Sequence, residues 1–179
     1  MTRLTMMAGA LCVALLTSTG AYAQMPPPDP ANPNETIPEA SNPPPYGDTI
    51  SIEAAKKAAA GAIAEAKKRN WNTLCVAVVA PSGDLVYFEK QDNCQYASTT
   101  IAQHKARTSA RYRRATLVFE RLSGRGPFFA YLPTLDDVIM SRGGNPLIVG
   151  GKVIGAIGVS GGTGSQDDVV SLAGVEALK

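Results

Sequence analysis

Histidine and tryptophan each occur once in this 179-residue chain, cysteine three times, and neither sign of charge dominates, with 17 Lys+Arg against 15 Asp+Glu. Each scarcity excludes something. With one histidine, a metal site built on cysteines lacks its remaining ligands. A formal net charge of +2 gives no strong field to draw nucleic acid or a membrane surface. No run approaches the roughly 20 consecutive apolar residues that a membrane span needs, so no membrane insertion is expected of the mature chain.

What is present begins with an export signal. Arg3 is followed by an apolar stretch over residues 6–16, and Ala21-Tyr22-Ala23 fits the small-x-small cleavage rule. Residues 1–23 therefore read as a signal peptide, with Gln24 as the mature start and a periplasmic or secreted destination. Cys12 lies inside the apolar stretch without a lipobox before it. Its removal leaves Cys75 and Cys94. An even pair in an oxidising compartment reads as one disulfide, worth roughly 3 kcal/mol through the chain entropy it removes. Two buried free thiols are the alternative.

Residues 24–48 hold nine of the thirteen prolines and read as an extended, disordered linker. Residues 49–179 are long enough for one core. Ser51 can cap a helix running to about Arg69, with Ile52, Ala55, Ala59, Ala62, Ile63 and Ala66 as its apolar stripe. Strands are expected at 74–79 and 85–90 around the turn at 81–84. A helix opens at Ser98, a short one spans 116–122, and a third strand is expected at 138–141. Gly150-Gly151 between two apolar runs marks a hairpin joining strands 147–149 and 152–159. Ser165 with Asp168 resembles a capping box for a last helix. Hairpin connections argue for an α+β fold, a mainly antiparallel five-stranded sheet flanked by helices.

Nine of the seventeen glycines fall at positions 143–164. Gly155 and Gly158 lie within a strand, where close approach by another backbone or a ligand would compensate their cost. Ser160-Gly161-Gly162 precedes a helix, a place where backbone N–H groups can hold an anion. Gly158-Val159-Ser160-Gly161-Gly162 matches a nucleophile elbow formally, but His104 precedes the serine and the domain is too small for that hydrolase fold. Gly151-Lys152 lacks the Ser/Thr of a P-loop.

His104 on the second helix is either a structural or solvated histidine or an axial ligand for haem iron. Arg107, Arg111, Arg113 and Arg114 form either a solvated cationic face or partners for propionates. Tyr96 and Tyr112 are weaker candidate ligands. Lys105 sits among Ala102, Ala106, Ser109 and Ala110. It is either a snorkelling lysine or a partly buried one able to bind an anion or move a proton. Asp167 and Asp168 complement the last helix's N-terminus.

Three stretches together resemble the GlcG/HbpS family, also described as the haem-degrading domain family, over nearly all of residues 49–179. They are Gly143-Gly144-Asn145-Pro146 through Gly155-Ala156-Ile157-Gly158-Val159-Ser160-Gly161-Gly162-Thr163 with Gln166-Asp167-Asp168 after it, the helix Ala102-Gln103-His104-Lys105-Ala106-Arg107-Thr108-Ser109-Ala110, and Arg113-Arg114-Ala115-Thr116. The resemblance implies a profilin-like outline and a homo-oligomer. Among the family's members are haem-binding exported proteins and proteins of glycolate-utilisation operons. The chain departs from the pattern at Ala80, where the family often has Asp, and at Lys90-Gln91-Asp92-Asn93-Cys94. The expected function is binding of a small molecule, haem or a related tetrapyrrole. His104 is the iron ligand in that reading, with Lys105, Arg107 and Arg111 beside it and Gly144, Ser160, Gly161 and Gly162 as further contacts. The alternative is an enzyme or accessory protein acting on a small organic acid or carbonyl compound, with Lys105 as its working group and no catalytic set assigned.

Overall fold

The computed structural model describes residues 42–179. The expected signal peptide and most of the proline-rich segment lie outside the described residues. The elements run α1 (Ile52–Lys68), β1 (Cys75–Val79), β2 (Leu85–Lys90), α2 (Tyr96–Tyr112), α3 (Thr116–Ser123), two 3-10 turns (Pro127–Phe129 and Leu132–Thr134), β3 (Gly144–Val149), β4 (Lys152–Ser160) and α4 (Gly164–Glu176). The strands form one antiparallel sheet in the order β2-β1-β4-β3.

Side chains alternate across a strand, so β1 faces two ways. Val76 and Val78 join Leu147, Ile157 and Val159 against the alanines of α1 and Val170 of α4. Cys75, Ala77 and Val79 join Ala156 against Ala102, Ala106 and Ala110 of α2. Helices thus cover both faces, and all five β1 residues are buried. The alanines of α1 recur at a spacing of three and four, and the Ser51 side chain accepts the Ala54 N–H at its start. Cys75 and Cys94 form the disulfide, with Cα atoms 5.9 Å apart.

The sheet has four strands among the described residues, not five. Residues 138–141, expected as a strand, pair with no other strand. Val138 and Met140 instead pack on a satellite cluster of Phe119, Leu122, Phe129 and Leu132, and the Ile139 N–H goes to the Thr108 hydroxyl. A short apolar run does not say whether it will find a partner strand or a side cluster. The hairpin between β3 and β4 turns at Gly150 and Gly151, both with positive φ (57° and 75°), as a type I′ turn requires. The cap of α4 is Thr163, two residues before the expected Ser165. Thr163 and Gln166 form the capping box.

The last residues of the proline-rich segment lie on the domain. Val153 N–H donates to Pro45 C=O and Gly47 N–H donates to Val153 C=O, both at 2.9 Å, alongside the first half of β4. The Tyr46 hydroxyl donates to Arg111 C=O at 2.7 Å, and the Arg113 guanidinium lies 5.1 Å from the Tyr46 ring centre.

Candidate functional site

Helix α2 lies closer to the sheet than ordinary side chains would allow. A Cβ on Gly158 would stand 2.1 Å from the Ala102 carbonyl oxygen, and one on Gly144 would stand 2.3 Å from that of Lys105. Alanines on the helix and glycines on the strands remove the atoms that would hold them apart. This contact carries Lys105 into the interior, where its side chain is 2% exposed.

A buried ammonium needs a counter-charge. Asp167, in the first turn of α4, supplies it. The Lys105 Nζ donates to Asp167 Oδ2 at 2.7 Å, and Gly162 N–H donates to Asp167 Oδ1 at 2.9 Å. Burial pushes the Asp167 carboxyl above the usual carboxylate range, while Lys105 and the Gly162 N–H pull against that shift. The strand-to-helix junction expected to hold an anion therefore holds one from the chain itself. Ser160, also buried, shares a 3.1 Å hydrogen bond with the Ser98 hydroxyl of α2. Gly161 donates nothing to this pair; its carbonyl accepts from the Thr73 hydroxyl. Asn145 extends the network on α4, donating to the Ser171 hydroxyl at 2.7 Å and to Asp168 at 3.1 Å.

Next to this pair lies a second one, more exposed. Arg142 Nε donates to Glu120 Oε1 at 2.8 Å and the Arg142 backbone N–H donates to Oε2 at 2.8 Å. The Arg142 hydrogen bonds hold the Glu120 carboxyl below the usual carboxylate range, against a smaller burial effect.

His104, Arg107 and Arg111 belong to a different face of α2. Consecutive helical residues leave the axis about 100° apart, so His104 and Lys105 do not share surroundings. The His104 side chain is 42% exposed, with Nε2 3.5 Å from Asp137 Oδ1. Arg111 Nη1 donates to the other oxygen of Asp137 at 2.7 Å, and its Nε donates to Ser82 C=O at 2.9 Å. Arg107 Nε is buried with no hydrogen-bond partner. Arg113 and Arg114 spend donors on Pro44 C=O and Tyr112 C=O. The Tyr112 hydroxyl donates to Asp136 C=O, and Tyr96 is 92% exposed.

The expected ligand-binding residues thus fall into two groups. Lys105 and Gly162 meet at Asp167, Gly144 packs under the Lys105 backbone carbonyl, and Ser160 lies at the end of β4 nearby. His104, Arg107 and Arg111 gather around Asp137 and the turn at 81–84. In the sequence Asp167 reads as a helix-terminal charge, and nothing there marks Asp137 or Glu120. A lysine set among alanines was the available signal that a carboxylate had to come from elsewhere in the chain. Among the described residues no cluster of His, Cys, Asp and Glu is arranged to hold a metal ion by itself, and no helix is long and apolar enough to cross a membrane.

A three-layer α+β domain with a lysine-bearing helix pressed on a glycine-rich hairpin defines a recognisable class of protein. The chain belongs to the family described as haem degrading protein HbpS-like, whose model matches residues 50–176. It is similar to protein GlcG of Escherichia coli K12, 38% identical over 97 residues, which are 54% of this chain and 69% of that protein. Among solved structures, protein ORFY of Klebsiella pneumoniae aligns with a TM-score of 0.69 at 27% identity, covering 76% of this chain and 95% of that one. A double-mutant form of HbpS from Streptomyces reticuli aligns with a TM-score of 0.67 at 27% identity, covering 75% and 90%.

Proposed function

We propose that this protein is an exported binding protein for haem or a related tetrapyrrole that works as a homo-oligomer. The observation that carries the reading is the His104 face of α2. There a half-exposed imidazole stands on the same helix surface as Arg107, whose buried Nε lacks a partner, and Arg111. An imidazole and two guanidinium groups are the donor set that a ferric porphyrin with two propionates takes. His104 would hold the iron, and Arg107 and Arg111 the propionates. Haem supplies the redox and oxygen chemistry when bound. The chain's part is to orient the ring and to neutralise its carboxylates. The family description supports the ligand class, and the sequence of residues 1–23 supports export. Exposed Ile148 and Val149 on the edge strand β3, with Val169 and Leu172 on α4, support self-association.

The alternative, chemistry on a small organic acid, would use the Lys105–Asp167 couple. That ammonium is already engaged by Asp167 in the interior, so an incoming anion would have to displace the carboxylate. Asp137 also engages His104 and Arg111, but at a partly exposed face where an incoming carboxylate can exchange for it, and that difference in burial favours the exposed face.

Haemin titrated into the purified protein is expected to give a saturable Soret shift. His104→Ala should lose that spectral signature, and Arg111→Ala should weaken binding by about tenfold. A titration without saturation removes the function. A spectrum unchanged in His104→Ala removes the ligand assignment.

A further inference from the structure

An open-sided cavity of about 460 Å³ lies where α1 ends and β1 begins, a volume in the range of small-molecule sites. One wall is Asn70, Trp71 and Asn72. The other is Gln91, Asp92 and Asn93, directly before the disulfide-bonded Cys94. None of these residues belongs to the His104 face or to the Lys105–Asp167 pair.

Both walls are fixed by backbone bonds. Trp71 N–H donates to Ala66 C=O at 2.9 Å, and Asn70 ends the helix in the left-handed region (φ 57°). Gln91 N–H donates to Leu74 C=O at 3.0 Å, and its side-chain oxygen accepts Leu74 N–H at 2.8 Å. That orients the Gln91 carboxamide and leaves its NH2 group to donate. The Arg69 guanidinium lies 5.2 Å from the Trp71 ring centre and steadies the indole. The backbone of both walls and the Gln91 carboxamide are therefore in place before a ligand arrives.

The lining decides the ligand class. It offers one indole, four carboxamides, one carboxylate and, from Lys67, one ammonium. Carboxamides donate and accept together, as hydroxyl groups do. An anion would gain Lys67 and be repelled by Asp92. An apolar ligand would strand the carboxamides without partners. A neutral ring with hydroxyls on its rim and C–H groups on its face satisfies both the amides and the indole. We propose that this cavity binds a neutral saccharide, with Trp71 as the apolar wall against the ring and Asp92, Asn93 and Gln91 as partners for its hydroxyls. Gln91 and Asn93 fall where the chain departs from the pattern of the family it resembles, whereas Asp92 keeps the Asp of that pattern.

Trp71 is the chain's one tryptophan, so intrinsic fluorescence reports directly on the cavity. The full chain would be titrated with glucose, galactose, N-acetylglucosamine and maltose, following emission and heat together, with glycine and acetate as charged controls. The expected result is a saturable emission change with matching heat for at least one sugar and none for the controls. Trp71 also packs on the core, so the exposed substitutions Asp92→Ala and Asn93→Ala carry the test. Each should weaken sugar binding by about tenfold or more while leaving the melting temperature unchanged. The proposal is overturned if no sugar saturates, if the controls act equally, or if both variants bind as the parent does. The haemin titration uses other residues, so either reading can fail without the other.

Discussion

The Lys105–Asp167 pair, which touches Gly143, and the Arg142–Glu120 pair, whose arginine precedes it, both lie at the approach to β3, and they differ in their surroundings. Lys105 and Asp167 are 2% and 3% exposed, whereas Arg142 and Glu120 are 34% and 31% exposed. Moving two charges out of water costs several kcal/mol each, and close attraction in the interior largely offsets it. An exposed pair meets little of that cost and contributes about 0–1 kcal/mol. The two carboxyls record the difference. Burial drives Asp167 upward, whereas the hydrogen bonds from Arg142 take Glu120 downward. The same chemistry is thus an obligatory lock in one place and a surface tie in the other.

The largest effect should come from opening the buried pair from one side. Lys105→Ala leaves Asp167 unpaired in the interior and is expected to cost about 3–5 kcal/mol in denaturant unfolding. Replacing both partners together, as Lys105→Met with Asp167→Leu, should recover most of that loss. A single-variant cost below about 1 kcal/mol would put the two pairs in the same class and end the contrast. Next in size is Gly143→Ala. Gly143 has φ 109°, and a Cβ there would stand 2.7 Å from the Asp167 Cβ and 3.1 Å from the Lys105 Nζ. Backbone strain and crowding of the pair should together cost about 2–3 kcal/mol. A stability equal to the parent's would mean that the pair does not need this close approach.

Much of the scaffold around these pairs was readable because its signals are local. Ser51 before an alanine stripe, the hairpin at Gly150-Gly151 and the strand limits at Leu85 and Lys90 each depend on a few neighbouring residues. The cost of Gly158 in a strand pointed to a backbone pressed against it, and the helix at Ala102 is that backbone. What stayed hidden depends on contacts distant in sequence. Residues 138–141 carry the composition of a strand, yet their neighbours are Phe119 and Leu132. Lys105 could be placed among small residues, but its partner lies 62 positions away, in a turn where an acid already has a local explanation. The separation of His104 from the glycine bend follows from helix phase only once the sheet side of α2 is known. The Trp71 cavity leaves no mark in the sequence because its amides come from two loops with no motif between them.

The smallest expected effect tests the contrast by sign. Glu120 is held below its ordinary value of 4.5 in the folded chain. Its stabilisation is therefore complete above pH 4.5 and is lost as the pH falls through the lowered folded value. Asp167 is raised above its ordinary value of 3.8. The folded chain then keeps that proton to higher pH than the unfolded one, and stability falls as the pH rises from 3.8 through the raised value. Unfolding free energies of the parent, Glu120→Gln and Asp167→Asn, measured from pH 3 to pH 7 and subtracted, cancel the remaining carboxylates. The parent's advantage over Glu120→Gln should grow with pH and stay below about 1 kcal/mol. Its advantage over Asp167→Asn should shrink with pH. Two differences running the same way would mean that burial does not govern Asp167, and the distinction between the lock and the tie would disappear.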